Sequence, residues 1–311
     1  MEDFPKNQLE FEERFGDEEA CREYLAALRW PDGFKCPSCG SCDSWKSRRG
    51  LYQCTRCDRQ TSVTAGTVFQ DTRLPLRLWF RAMWAVTGYK HGVSAKSLQR
   101  VLGMNRYETV WTWLHKLRAA MVRPGRERLA GTVEVDETYV GGVRPGKRGR
   151  GAEGKALVVI AVEDKQGEIG RIRLRRVADA SSERLEPFIL ENVDAGADVR
   201  TDGWSAYGFL AERGFGHDVA RREDVVGDDL LPLAHRVASL LKRWLLGTHQ
   251  GAVRASHLDY YLDEFTFRFN RRTSQSRGKL FYRLVQQAVA AEPVTRRSLN
   301  RKSQVKPHHK I

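Results

Sequence analysis

The chain has 311 residues, which is long enough for one large domain and one or two small ones. Hydrophobic residues make up 41% of it, so it can bury a core and is not a disordered chain. Lysine and arginine outnumber aspartate and glutamate by 53 to 39, and this excess favours a polyanionic partner such as nucleic acid over a merely soluble surface. The sequence has no apolar run of roughly 18 residues and no signal-peptide pattern at its acidic start, so we predict a cytoplasmic protein.

Residues 1–30 are predicted to form a helical lead-in. Asp17 is a suitable N-cap for the segment that follows it. Cys21, Tyr24 and Leu25 then recur at helical spacing, which predicts one apolar face.

Residues 31–70 contain two Cys-x-x-Cys pairs separated by fourteen residues. Paired knuckles of this kind supply the four thiolates that a tetrahedral zinc ion requires. The predicted ligands are Cys36, Cys39, Cys54 and Cys57. Cys42 also follows Cys39 with a two-residue gap, but we favour Cys39 because Gly40 supplies the turn that a knuckle needs. The spacing therefore predicts a zinc ribbon. Some zinc ribbons bind DNA, and others bind protein partners.

Residues 71–125 are predicted to be helical, with three apolar-periodic segments. The last two have the outline of a helix-turn-helix, because Ser94 can cap the first helix and Gly103 can end it. In such motifs the start of the second helix meets the DNA. The candidate contacts are Asn105, Arg106 and Tyr107. The alternative is a plain helical hairpin whose apolar residues belong to the core.

From residue 126 to 290 the pattern predicts an α/β domain. Three strands rich in β-branched residues are followed by a helix, a short strand ending in Thr201-Asp202, and helices to about Ala290. Asp136 stands at the end of an alternating strand and Asp202 follows another, whereas Glu137 points to the opposite face from Asp136. Two such acids on adjacent strands of a ribonuclease H-like sheet would share divalent cations, for which carboxylate oxygens are the preferred ligands.

These motifs together resemble those of insertion-sequence transposases with an N-terminal zinc ribbon and a DDE-type catalytic domain. The resemblance covers residues 15–290 and includes CPSC…CTRC, VEVDETYVGG, TDGWSAY, LLKRWLLGTHQGAV and YLDEFTFRFNRR. It implies a ribonuclease H-like mixed sheet flanked by helices, preceded by the zinc ribbon and the helix-turn-helix-like segment.

The resemblance also implies site residues. The first two catalytic acids correspond to Asp136 and Asp202. The third position precedes Lys242 by seven residues and is occupied by His235, where the family usually has glutamate or asparagine. Histidine can bind a divalent ion, although it suits softer ions than Mg²⁺, and Glu264 is the alternative third ligand. Lys242 and Arg243 are the implied contacts with DNA, and Lys242 is placed nearest the catalytic phosphate.

The resemblance predicts a transposase that cleaves DNA at the ends of its element and transfers the 3′-hydroxyl into target DNA. Its expected cofactors are a structural Zn²⁺ and a catalytic Mg²⁺ or Mn²⁺. Its expected partners are the terminal repeats and the target DNA in the nucleoid, bound by at least a homodimer. The competing hypothesis is a sequence-specific DNA-binding protein or a decayed transposase that binds but does not cut. A ribbon-bearing nuclease would differ only in lacking strand transfer.

Two basic segments remain. The segment 141–154 carries four basic residues among six glycines, and it is equally consistent with contacts to the DNA backbone and with a solvated loop. Residues 291–311 are predicted to form a basic, flexible tail.

Overall fold

The computed structural model describes residues 2–123, 125–141, 155–221, 229–251, 253–295 and 298–299. The chain divides into two compact units. The first unit comprises Met1–Arg123 and Thr273–Arg301, so it takes residues from both ends of the chain, and the second is built on Pro124–Arg272. Most of the basic segment 141–154 and of the tail lies outside the described residues.

The helices and strands confirm most of the predicted elements. In chain order they are α1 (Gln8–Arg14), α2 (Glu18–Arg29), β1 (Ser44–Lys46), β2 (Tyr52–Cys54), β3 (Gln60–Thr61), α3 (Leu76–Gly88), α4 (Ala95–Leu102), α5 (Tyr107–Ala120), β4 (Thr132–Val140), β5 (Ala156–Lys165), β6 (Glu168–Val177), α6 (Ser182–Asn192), β7 (Asp198–Thr201), α7 (Phe209–Glu212), β8 (Gly216–Val219), α8 (Pro232–His249), α9 (Leu258–Phe269) and α10 (Arg277–Ala290). The lead-in is α1 and α2, and Asp17 caps α2 by accepting a hydrogen bond from the backbone N–H of Ala20 at 2.8 Å.

The ribbon is a small antiparallel sheet in the order β1-β2-β3. Phe34, Cys36 and Cys54 are buried in it, and Trp30 and Tyr52 pack around them. A core this small contributes little folding free energy, so a metal at the cysteines would supply much of the stability of the ribbon.

Phe281 on α10 occupies the middle of the helical part of the first unit. Its ring centroid lies 5.4, 5.6 and 5.7 Å from those of Phe11, Phe15 and Phe80. The sequence places α10 in the catalytic segment 126–290, whereas in the structure this helix belongs to the first unit. The reason is packing, since the apolar face of α10 is buried in an aromatic cluster contributed by α1 and α3.

Close packing continues at the start of α10. A Cβ atom at Gly278 would lie 1.6 Å from the carbonyl oxygen of Pro5. Only glycine therefore allows the beginning of α10 to lie against the N-terminal segment at this distance.

The second unit is built on a mixed sheet in the order β6-β5-β4-β7-β8. The first three strands are antiparallel, and β4, β7 and β8 run parallel. One face of the sheet packs against α8 and α9, and the other packs against α6 and the segment leading to β8. Because both faces are covered, β5 is apolar from Ala156 to Val162 and buried from Leu157 to Glu163. This is the predicted ribonuclease H-like mixed sheet flanked by helices.

The sequence predicts only helices between Asp202 and Ala290, and this prediction is wrong at Gly216–Val219, which form β8. The strand pairs in parallel with β7 at the edge of the sheet. It has four residues, and His217 and Asp218 are exposed, so it lacks the apolar alternation by which a strand is recognised.

Candidate functional site

The two predicted catalytic aspartates belong to neighbouring parallel segments, because Asp136 lies within β4 and Asp202 directly follows β7. Glu134 on β4 and Arg200 on β7 form the last pair between these strands, and Asp136 and Asp202 each follow that pair by two residues. Because side chains alternate along a strand, Asp136 projects from the same face of β4 as Glu134. The two acids therefore lie at the same end of neighbouring strands, and their pairing at one site stays a prediction.

The surroundings of Asp136 differ from the prediction in one respect. The sequence places Asp136 at the end of a strand, but β4 continues to Val140 because its second half remains paired with β5. The pairing of β4 with β7 does end before Asp136, at Glu134. Asp136 thus lies at the point where β4 and β7 separate, with its side chain 14% exposed.

Asp202 lies directly after the last residue of β7 and is exposed. Its Oδ1 accepts a hydrogen bond from the backbone N–H of Trp204 at 3.0 Å. Gly203 has φ +75°, and a Cβ there would lie 2.7 Å from Val219. The turn that presents Asp202 therefore requires glycine at the next position.

Glu134 joins the start of α8 to the sheet. It is 1% exposed, and its Oε2 accepts hydrogen bonds from the backbone N–H groups of Leu233 and Ala234, both at 2.9 Å. These are N–H groups of the first turn of α8, whose own N-cap residue, Leu231, has no side chain that can accept them. Glu134 thus acts as a cap from a neighbouring strand and places the next helical residue, His235, over the sheet.

His235 lies next to Asp136. Its Nε2 is 3.3 Å from Oδ2 of Asp136, and its Nδ1 donates a hydrogen bond to Asp229. A histidine that donates from Nδ1 can present its Nε2 lone pair to a metal ion, and a carboxylate behind the ring is a common arrangement at metal sites. Neither Asp229 nor Glu134 is among the sequence-predicted site residues.

Glu137 points to the opposite face of the sheet, as predicted. Its Oε1 accepts a hydrogen bond of 2.6 Å from the hydroxyl of the buried residue Tyr207. Burial, reinforced by the charge of Glu137, raises the pKa of Tyr207, so the tyrosine remains a donor. Glu137 is therefore a structural residue of that face.

Lys242 follows His235 by two turns of α8, and both Lys242 and Arg243 are exposed. Burial of its stem lowers the pKa of Lys242, and the nearby charge of Asp136 opposes that change.

Glu264, the alternative third ligand, is 1% exposed on α9. This helix lies against the edge strand β6, whereas α8 lies against β4 and β5. The strand order places β6 two strands away from β4. The arrangement therefore favours His235 over Glu264 as the neighbour of Asp136.

The chemistry of the donors at this site suits a divalent ion, with two carboxylates and one imidazole nitrogen. In the described part of the chain, however, only the ribbon cysteines bring three or more potential ligand atoms within 4.8 Å of one another. Of the three predicted side chains, His235 and Asp136 are neighbours, and the three are not gathered to within that distance.

The four ribbon cysteines do form a compact set. The Sγ atoms of Cys36 and Cys57 are 3.6 Å apart, and those of Cys39 and Cys54 are 3.5 Å apart. Tetrahedral zinc with its usual bonds to sulfur would place these atoms about 3.8 Å apart. Backbone N–H groups of Cys39 and Ser38 lower the pKa of Cys36 to about 6, which favours the thiolate that binds metal. Cys42 is exposed and outside the set, as predicted.

Comparison with known proteins agrees with this arrangement. The model of the transposase zinc-ribbon domain matches residues 16–60, and the model of the ISXO2-like transposase domain matches residues 128–270. A protein of Halobacterium salinarum, described as an uncharacterized protein in transposable element ISH50, is 31% identical over 281 residues, which are 82% of this chain and 91% of that protein. The chain belongs to the ISXO2-like transposases. Its membership confirms the predicted family, and DNA is the partner that it implies.

The helix-turn-helix-like segment of the transposase has the predicted caps. The side chain of Ser94 accepts from the N–H of Ser97 at 3.1 Å, and Gly103 ends α4 with φ +63°. The predicted DNA contacts are all exposed at the start of α5: Asn105, Arg106 and Tyr107. Further along α5, Trp113 stacks on Trp79 at 4.0 Å. One helix thus has an apolar face in the core and a polar, exposed beginning.

None of the helices in the part of the transposase that the structure describes has the length and apolar character to cross a membrane.

Proposed function

We propose that this transposase cleaves DNA at the ends of its element and joins the resulting 3′-hydroxyl to target DNA at the face formed by Asp136, Asp202 and His235. The observation that carries the proposal is the distance of 3.3 Å between Nε2 of His235 and Asp136, together with the position of Asp136 and Asp202, each two residues beyond the last pair of β4 and β7. Family membership supplies the substrate class, and the arrangement of these three residues supports the assignment of the site.

The three side chains would hold Mg²⁺ or Mn²⁺. When bound, such ions activate an attacking oxygen and stabilise a leaving oxygen during phosphoryl transfer. Asp229 orients the ring of His235 by accepting from Nδ1, so that Nε2 faces Asp136. The ammonium group of Lys242 would bind a phosphate oxygen next to the site. Asn105, Arg106, Tyr107 and Arg243 would bind DNA outside it.

Cleavage and joining involve the same kind of substitution at phosphorus. In cleavage, a water oxygen forms a bond to phosphorus while the bond to the 3′-oxygen breaks, and the departing oxygen becomes the 3′-hydroxyl. In joining, that hydroxyl attacks a target phosphodiester and displaces a second 3′-oxygen. We also propose that two copies or more act together in the nucleoid, because two ends of one element must be joined to one target.

The test is a strand-transfer assay. The full chain is given labelled terminal repeat, supercoiled target and Mg²⁺ or Mn²⁺, with Asp136→Ala as the inactive control. Joined product from the wild type and none from Asp136→Ala is the expected result. DNA binding without metal-dependent cutting in either protein would contradict the proposal. It would favour a decayed transposase that binds but no longer cuts, and the histidine at position 235 is the residue that would indicate such decay.

The third residue is tested by comparing His235→Ala with Glu264→Gln in the same assay. We expect His235→Ala to abolish cleavage and to leave DNA binding intact. Glu264→Gln should retain the wild-type cleavage rate when the rate is expressed per amount of folded protein. The opposite pattern would assign the third position to Glu264.

A further inference from the structure

A pocket of about 620 Å³ lies in the first unit, whereas the aspartates belong to the second. Its walls come from the start of α2, the hairpin between β1 and β2, the segment after the ribbon and the start of α3. Four arginines line it: Arg22, Arg49, Arg73 and Arg77. We refer to it as the arginine pocket.

The two carboxylates of the arginine pocket are already engaged by backbone groups. Asp17 accepts from the N–H of Ala20 at 2.8 Å. Glu18 accepts from the N–H groups of Leu76 and Arg77, at 2.9 and 3.3 Å, and so caps α3. Both acids hold the walls in place, and the four arginines leave the pocket with an excess of positive charge.

Two of the arginines are fixed within the walls. Arg77 donates to the carbonyl oxygen of Gly16 at 3.0 Å. The guanidinium of Arg22 lies against Gly50, where a Cβ would be 3.4 Å away, and it is 3.9 Å from Glu18. These contacts tie the ribbon hairpin to α2 and give the pocket a defined shape.

The other two arginines, Arg49 and Arg73, are exposed. Neither has an ion pair or a side-chain hydrogen bond with the residues that the structure describes. Their charges, at the rim of a concave and already positive surface, are thus available to a partner. Planar guanidinium groups bind phosphate oxygens with paired hydrogen bonds, so the chemistry that fits is a phosphate group.

We propose that the arginine pocket binds the phosphodiester backbone of DNA without reading its sequence, with Arg49 and Arg73 as the contacts. The proposal rests on the proposed function only in taking DNA as the partner, and it assigns a contact region separate from the start of α5. The pocket is formed partly by the ribbon, so the ribbon contributes to DNA binding through the placement of Arg49.

The salt dependence of binding gives a quantitative test. Each phosphate contact contributes about 0.9 to the slope of log affinity against log salt concentration. Replacing Arg49 and Arg73 together by alanine should lower the slope by about 1.8, which corresponds to about 60-fold weaker binding at 0.1 M salt if affinity at 1 M salt is unchanged. The loss should be equal for terminal-repeat and random DNA, because phosphate contacts carry no sequence information.

Two further double variants complete the experiment. Arg49→Lys with Arg73→Lys keeps both charges and should retain the slope. Arg128→Ala with Lys165→Ala removes two exposed charges from the second unit and should change the slope by less than half as much. Binding of labelled DNA to the full chain is measured by fluorescence anisotropy, in a buffer with no chelator and no added divalent ions. The zinc content of each variant confirms that its ribbon is folded.

An unchanged slope in the alanine variant, or an equal fall in the second-unit control, would overturn the proposal. Micromolar binding of inorganic phosphate with an unchanged DNA slope would also overturn it, since the pocket would then serve a small anion. Failure of the proposed function gives a different result. The wild type would then form no joined product in the strand-transfer assay, regardless of how its DNA affinity depends on salt.

Discussion

Replacing Glu134 separates the acceptor role of this side chain from its charge. In Glu134→Ala, the N–H groups of Leu233 and Ala234 lose their acceptor inside the protein, where Leu233 is 8% and Ala234 0% exposed. An unsatisfied buried donor costs about 1–3 kcal/mol, so two of them should lower the free energy of unfolding by about 2–6 kcal/mol. Glu134→Gln keeps an acceptor oxygen at the same place and should change the free energy of unfolding by about 1 kcal/mol or less.

The pH dependence of the unfolding free energy, compared between the wild type and Glu134→Gln, gives a second test of the role of Glu134. Burial raises the pKa of Glu134 above the ordinary glutamate value, although the two N–H groups oppose the rise. A raised pKa means that the stabilising contribution is present at low pH and is lost as pH rises through the folded pKa. Urea unfolding at pH values from 4 to 7 should therefore show the wild type losing stability relative to Glu134→Gln as pH rises. A glutamine variant as unstable as the alanine variant, or the opposite slope, would refute the reasoning.

Three further predictions concern other parts of the molecule. Cys54→Ser should lose the bound zinc measured by atomic absorption and unfold the ribbon, whereas Cys42→Ser should keep both. Burial would raise the pKa of Glu163, but the hydrogen bonds and charge of Arg171 outweigh burial and lower the pKa to about 2. The pair therefore stabilises the fold at pH values above the usual glutamate pKa, and this stabilisation is lost as the pH falls toward 2. Arg171→Met should remove that acid-dependent part of the unfolding free energy, about 2 kcal/mol, in a titration by circular dichroism. Gly278→Ala should lower the melting temperature through a clash worth about 1–3 kcal/mol, and an unchanged value would contradict the tight packing at this position.

Short-range chemistry made the ribbon and the main strands predictable. The spacing of the cysteines reflects the reach of two turns around one ion, and the turn at Gly40 favours Cys39 over Cys42. The alternation around Asp136 likewise predicts that Glu137 points to the opposite face. Both features depend on neighbours within a few residues.

Long-range contacts were not predictable in the same way. Glu134 and Leu233 are 99 residues apart, and only the absence of a polar N-cap before Pro232 hints that α8 needs an acceptor from elsewhere. Asp229 looks like an ordinary loop acid until α8 brings His235 to it. The strand β8 is too short and polar for its pattern to distinguish it from a loop.

The position of Phe281 also bears on how the protein is synthesised. Phe11 and Phe15 leave the ribosome early, but the ring around which they pack arrives only after the sheet of the second unit has been made. The part of the second unit that carries its sheet, Pro124–Arg272, is one stretch of sequence and can fold while translation proceeds, whereas the aromatic core of the first unit is completed later. A stop codon shortly after residue 272 would therefore spare the unit that carries the aspartates and deprive the ribbon-bearing unit of its central helix.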